Sequence, residues 1–323
     1  MIFIIDKVEL IDRGKLYDGL LGLAIGDSLG VPAEFINREV LEQDPITDMV
    51  SGGIWKQPAG TWSDDTAMTL ATIDALNNNN WQANEKLYED IMDNFVAWYT
   101  EHKYAANGVR FDIGNTCRKA IENYILRGNV NNCGVQGKHY GNGALMRMLP
   151  MVFIGEKNIT KKISALTHNN KICTLSSLIY VHMATELINA QDKELAFINM
   201  VDYFSNYSTT KPFVRILNKK FKNTLKKDIK SSGYVVDTLE AAIWCFINTN
   251  NYEECVLTAV NLGDDTDTVA AIAGSLAGLY YGENAIPTKW IKSLRDIDTL
   301  KQICFNNSEI EKEAVEDNFQ QML

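Results

Sequence analysis

The stretch NLGDDTDTVAAIAGSLAGLYYG, residues 261–282, is where the chain concentrates its most unusual chemistry. It opens with Asp264, Asp265 and Asp267, interleaved with Thr266 and Thr268, and continues into a run of almost unbroken apolar residues. The apolar run predicts a helix over 267–282 that is buried on most of its sides. Carboxylates this close repel one another, although a helix N-terminus tolerates negative side chains and Asp is a good N-cap. An over-acidic helix start is therefore the plain explanation for this stretch alone. GTWSDDTAMTLATIDAL, residues 60–76, repeats the design: Ser63, Asp64, Asp65 and Thr66 precede another apolar helix. Two hydroxyl-and-carboxylate clusters, each at the mouth of an apolar helix, predict a shared site where both converge. Oxygen-only donors of this kind suit a hard cation such as magnesium or manganese.

Outward from these two segments the chain reads as helical. Apolar spacing predicts helices over 14–30, 63–77, 84–101, 115–126, 144–155, 158–168, 171–188, 193–206, 236–248, 252–262 and 288–304. RILNKKFKNTLKKDIK, residues 215–230, reads as a basic amphipathic helix with a solvated lysine face, and the acidic tail 308–323 as helical or frayed. Residues 35–60, 105–115 and 127–143 are loop-like. Glycines at 19, 22, 26 and 30 within the first helix allow close packing or close approach of a ligand. The best strand candidate is MIFII at the start. The fold class expected is all-α, with residues 1–323 as a single domain.

Hydrophobic residues make up 46% and charged residues 22%, which places the chain among globular proteins. A net charge of −10 argues against a nucleic-acid groove or an anionic membrane as partner. Four apolar residues after Met1 are followed by Asp6 and Glu9, so no signal peptide is expected, and no apolar run is long enough to span a membrane. The six cysteines form no CxxC pair and are expected to be reduced and mostly buried, in a cytoplasmic protein expected to be a monomer.

Four further segments offer chemistry. LAIGDSLGVPAEF, 23–35, contains GDSL, but a serine esterase of that kind needs a histidine base near the C-terminus. Here the histidines are His102, His139, His168 and His182, so that class is excluded. Glu34 in this segment is either an extra catalytic carboxylate or a surface residue in a turn after Pro32. Asp112, in FDIGNTCRKAI, is either a capping carboxylate or a catalytic group. GKHYGNGALMRMLP, 137–150, supplies Gly137, Gly141, Asn142 and Gly143, whose backbone N–H groups can face an anion. His139 and Tyr140 there can stack on or hydrogen-bond a base or ribose, and Arg147 reads as a structural ion-pair partner. His168, in LTHNN, is either a satisfied structural residue or a ligand.

GDSLGVPAEF, GTWSDDTAM, FDIGNT, GNGALMRMLP, LTH and GDDTDTVAAIAGSLAGLYYG occur in this order, and SSGYVVDTLEAAIWCF precedes the last. Together they resemble the ADP-ribosylglycohydrolase family, over about residues 14–290. The resemblance implies an all-helical fold with two magnesium or manganese ions in a cleft, and an enzyme that frees ADP-ribose from modified protein side chains. It implies that Ser63, Asp64, Asp65, Asp265, Asp267 and Thr268 hold the ions. Glu34 would stand beside the metals and Asp112 near the scissile bond, as in arginine-directed members. The loop 137–143 and His168 would line the ADP-ribose site. Ser63 replaces a more common threonine but keeps the hydroxyl, and His139 occupies a variable position. A non-catalytic, crystallin-like relative is the alternative, as are serine-linked, nucleic-acid-linked or small-molecule substrates. Retention of an oxygen donor at every matching ligand position favours the enzyme, with arginine as the expected linkage.

Overall fold

The computed structural model describes residues 11–205 and 211–306; the expected strand MIFII and the acidic tail 308–323 lie outside them. The helices are α1 (Arg13–Gly30), α2 (Arg38–Gln43), α3 (Asp64–Asn78), α4 (Glu85–Glu101), α5 (Asn115–Arg127), α6 (Lys157–Ala165), α7 (Lys171–Ala190), α8 (Lys193–Phe204), α9 (Val235–Asn248), α10 (Tyr252–Val260), α11 (Thr266–Tyr281), α12 (Thr288–Ser293) and α13 (Ile297–Phe305). Among the described residues the only β-pairing is three isolated bridges, so the architecture is all-α as the spacing predicts. No described helix is long and apolar enough to cross a membrane. All six cysteines are buried.

Helices α1, α3 and α11 are apolar around most of their circumference and form the interior of the molecule. Amphipathic helices surround them; α4, for example, turns Leu87, Ile91, Phe95 and Trp98 inward. Among the described residues α1 and α11 pack most extensively, and glycine makes that packing possible. A Cβ on Gly26 would sit 2.1 Å from the Ala270 carbonyl oxygen, and one on Gly30 would sit 2.3 Å from the Asp267 Cα. The glycines of the first helix thus serve helix packing, and that packing carries the acidic start of α11 against the end of α1.

Five expectations are corrected. Residues 215–230 do not form a helix. They run through turns and two short 3-10 segments, Phe221–Asn223 and Lys226–Asp228, with Phe221 and Ile229 buried. Two arginines, Arg38 from outside the stretch and Arg215 at its start, take carbonyls that a helix would need. Arg38 donates to the Lys226 and Ile229 oxygens at 2.8 and 2.6 Å, and Arg215 to the Asp228 oxygen at 2.6 Å. Residues 144–155 are two 3-10 segments, Leu145–Arg147 and Leu149–Val152. Pro150 brings no N–H, and the Arg147 guanidinium occupies the Gly143 carbonyl. Arg147 also makes no ion pair among the described residues. It is buried, stacks over Phe95 at 5.1 Å, and donates to the Ile163 carbonyl and the Thr167 hydroxyl at 3.2 and 2.9 Å. Finally, the expected helix 288–304 is two helices, and α2 lies within the stretch read as loop.

Candidate active site

The two acidic segments meet. Helix α3 begins at Asp64 and α11 at Thr266, and both N-termini open on one cleft, where the positive ends of their dipoles favour carboxylates. Asp27, from the last turns of α1, joins them from the side. Its carboxylate accepts the Ser63 N–H at 2.9 and 3.1 Å, the Thr66 N–H at 3.1 Å and the Thr66 hydroxyl at 2.6 Å. Those bonds satisfy the orphan donors at the start of α3 and leave Asp65 free for other work.

Carboxylate oxygens of Asp27, Asp65 and Asp267 lie within 4.8 Å of one another, and so do those of Glu34, Asp112 and Asp267. Asp267 belongs to both groups. Ser63 donates its hydroxyl to Asp65 Oδ2 at 2.9 Å, and Thr268 donates to the same oxygen at 3.3 Å. Asp265 accepts from the Asn142 amide at 2.8 Å. Asp64 and Gly114 line the same cleft. Asp265 occupies the N-cap position of α11 but accepts no capping hydrogen bond, so the helix-cap explanation fails where it was strongest.

Asp264 faces solvent. Its neighbourhood is a backbone clamp: the Phe35 N–H donates to the Asp264 carbonyl at 2.7 Å, and the Asp264 N–H to the Ile36 carbonyl at 3.0 Å. Phe35 and Asp264 both take left-handed backbone angles, φ 63° and 61°. The clamp holds Glu34 beside Asp267. Trp55 secures it from the other side by donating its indole N–H to Glu34.

Seven carboxylates (Asp27, Glu34, Asp64, Asp65, Asp112, Asp265 and Asp267) thus share one region, and among the described residues none makes an ion pair. Burial, and then Asp112, push Glu34 up to about 8. Burial pushes Asp27 up to about 6, against the pull of hydrogen bonds from Thr66 and Ser63. Burial pushes Asp112 up to about 6. Asp64, Asp65 and Asp267 are held well above the usual carboxylate range by burial first and by their acidic neighbours next. Buried Asp65 Oδ1 has no hydrogen-bond partner among the described residues. An orphaned carboxylate oxygen, facing other carboxylates across less than 5 Å, is the donor set a hard divalent cation requires. Serine and threonine hydroxyls complete an all-oxygen set.

These carboxyls hold protons in the folded chain that an unfolded chain releases near pH 4. Without cations, stability is therefore expected to fall as pH rises, through about 6 for Asp27 and Asp112 and on to about 8 for Glu34. Millimolar magnesium or manganese should flatten that slope. Melting curves at about pH 5.5 and about pH 8, with chelator or with metal, measure it; a chelated protein indifferent to pH would disprove it.

The cleft has a volume of about 330 Å³ and is lined by Glu34, Asp64, Asp112, Asp265 and Thr268 on its acidic side, and by Gly141, Asn142, Gly143 and His168 elsewhere. His168 is buried, and its Nδ1 bonds the Thr167 hydroxyl at 2.9 Å. Burial, and then Arg147, hold it down to about 3, so the imidazole is neutral. A Cβ on Gly143 would meet the His168 ring at 3.2 Å and Cys117 Sγ at 2.6 Å, so only glycine fits there. Gly137, His139 and Tyr140 are not among the cleft-lining residues. Gly137 is exposed. The His139 carbonyl accepts from Asn170 at 2.7 Å, and the Tyr140 ring meets Tyr234 edge-on at 6.3 Å. Sequence reasoning missed Asp27 and Trp55. Asp27 had a signal, a carboxylate inside the apolar run LLGLAIGDSLG, but Trp55 lay in a loop with none.

The sequence model of the ADP-ribosylglycohydrolase family matches residues 9–318. The ADP-ribosylarginine hydrolase Tri1 of Pseudomonas putida (strain GB-1) is 34% identical over 319 residues, 93% of this chain and 80% of that protein. The ADP-ribosyl-(dinitrogen reductase) glycohydrolase of Rhodospirillum rubrum is 30% identical over 285 residues, 85% of this chain and 88% of that protein. A solved structure of an ADP-ribosylglycohydrolase-related protein complex aligns with a TM-score of 0.76 at 26% identity, covering 90% of this chain and 96% of the other.

Proposed function

The chain belongs to the ADP-ribosylglycohydrolase family and is a hydrolase of ADP-ribosyl glycosidic bonds; on that premise we propose that it frees ADP-ribose from arginine side chains of modified proteins, with two magnesium or manganese ions in the cleft. The observation that carries the proposal is the convergence of Glu34 and Asp112 with Asp267 in a cleft whose other wall is the Gly141–Gly143 loop. The relatives whose printed names specify arginine or dinitrogen reductase add to it.

Ser63, Asp64, Asp65, Asp265, Asp267 and Thr268 would hold the ions, with Asp27 added to the inner group. When bound, the ions supply Lewis acidity and offset the carboxylate repulsion. The residues themselves do the rest. Backbone N–H groups around Gly141–Gly143 offer donors to a diphosphate without a basic surface. Neutral His168 presents a hydrogen-bonding edge beside them. Asp112 faces the scissile bond and orients a guanidinium through paired N–H···O bonds to its carboxylate oxygens. Hydrolysis breaks the bond from ribose C1′ to the guanidine nitrogen and adds the oxygen of water at C1′, through an oxocarbenium-like centre. Glu34, ionised once bound ions offset its acidic neighbours, takes a proton from that water, and the departing guanidine nitrogen gains one.

Asp112→Ala is expected to lower the rate on arginine-linked ADP-ribose by about two to four orders of magnitude while ADP-ribose and metal still bind. The linkage itself is tested with wild-type protein on arginine- and serine-linked substrates at saturating metal. Faster release from serine would overturn the arginine assignment and place the catalytic work on Glu34.

A further inference from the structure

Eleven large apolar side chains are exposed among the described residues, and three of the most exposed lie in segments that line the cleft or the depression beside it: Phe35 at 61%, Ile54 at 60% and Val109 at 59%. Phe35 directly follows Glu34 and is itself part of the cleft wall. Ile54 sits at the tip of a small turn closed by hydrogen bonds between Gly52 and Gln57, with Trp55, another cleft-lining residue, beside it. Val109 borders a neighbouring depression shared with Asp64 and Asp112.

The platform is held in place. The Trp55 ring meets the Phe111 ring at 5.8 Å, which ties the turn to the loop carrying Asp112. Asn107 donates to Gln57 at 3.3 Å and to Thr61 at 2.9 Å, a second tie. Arg110 stacks over Tyr99 at 4.7 Å and donates to the Tyr99 carbonyl at 3.2 Å, anchoring the residue next to Val109 while Val109 points out. Phe35 keeps an exposed ring on a backbone conformation that side chains other than glycine rarely adopt. Apolar surface held rigidly outward, beside carboxylates, marks a place that a partner covers.

We propose that Phe35, Ile54 and Val109 form the docking surface for the polypeptide that carries the modified side chain, so that the enzyme selects ADP-ribosylated protein over a free ADP-ribosyl conjugate. This rests on the arginine reading above: with ADP-ribose against the Gly141–Gly143 loop, the acceptor emerges on the side of Glu34 and Asp112, where this surface lies. The carboxylates complement the cationic guanidinium and the apolar rim complements the side chains that flank it. The occupant is a peptide segment with apolar residues next to the modified arginine.

The test uses the full chain with metal, as wild type and as the double variant Ile54→Ser/Val109→Ser, whose exposed positions leave the core untouched. Substrates are free ADP-ribosyl-arginine and a short peptide bearing the same linkage between apolar neighbours. The variant should lose about tenfold in kcat/KM on the peptide, nearly all of it in KM, and less than about twofold on the free conjugate. Ile54→Leu/Val109→Leu should restore the peptide rate. An equal loss on both substrates, or no loss on the peptide, overturns the docking surface while leaving the arginine assignment standing. A wild type inactive on both arginine substrates, but active on serine-linked peptide, overturns that assignment and the surface with it.

Discussion

Asp267→Asn is expected to abolish divalent-cation binding and to reduce ADP-ribosyl hydrolysis by about three orders of magnitude or more, while the protein folds at least as well as before. Asp267 is the one carboxylate shared by both close groups, with Asp27 and Asp65 on one side and Glu34 and Asp112 on the other. Its Oδ1 accepts the Thr268 N–H at 2.9 Å, a bond the asparagine oxygen can keep. Asparagine therefore preserves shape and local hydrogen bonding and removes only charge. Loss of one charge from a set of buried like charges relieves repulsion, so the metal-free variant should melt higher than metal-free wild type at neutral pH. Calorimetric titration with manganese, alongside turnover of ADP-ribosyl-arginine, reads both effects. Unchanged manganese affinity in the variant would return these aspartates to the status of over-abundant helix-start residues.

Gly26→Ala should be among the most damaging single substitutions in the chain, at about 3 kcal/mol or more, although it adds one methyl group. The added Cβ would meet the Ala270 carbonyl oxygen at 2.1 Å. That atom is backbone, so no rotamer change relieves the clash and α1 and α11 must separate. Separation draws Asp27 away from Asp267, and cation affinity should fall with stability. Gly14 on the same helix supplies the control. A Cβ there meets only Asp12 Oδ1, at 3.4 Å, so Gly14→Ala should be neutral or stabilising by about 0.5–1 kcal/mol. Denaturant midpoints for the pair distinguish a packing effect from the ordinary helix preference of alanine. Similar midpoints for both variants would show that α1 and α11 tolerate separation.

The sequence by itself determined the helical class, the two acid-headed apolar helices and six of the seven carboxylates that meet in the cleft, Asp27 being the exception. Each of these is local chemistry: an apolar period, a hydroxyl and carboxylates at a helix start, a glycine-rich turn. Tertiary structure decided which of the acids act together. Asp265 and Asp264 are neighbours in the chain, yet one faces Asn142 in the cleft and the other faces solvent, because a backbone clamp to Phe35 and Ile36 turns the chain between them. Asp27 becomes part of the group only because glycines let α1 lie against the start of α11. Arginines decided the rest: Arg38 and Arg215 draw carbonyls out of a lysine-rich stretch that its own spacing marks as helix, and buried Arg147 does the same after Gly143. Competition for a carbonyl by an arginine side chain leaves no trace in local apolar periodicity, and neither does the distance between two carboxylates on different helices.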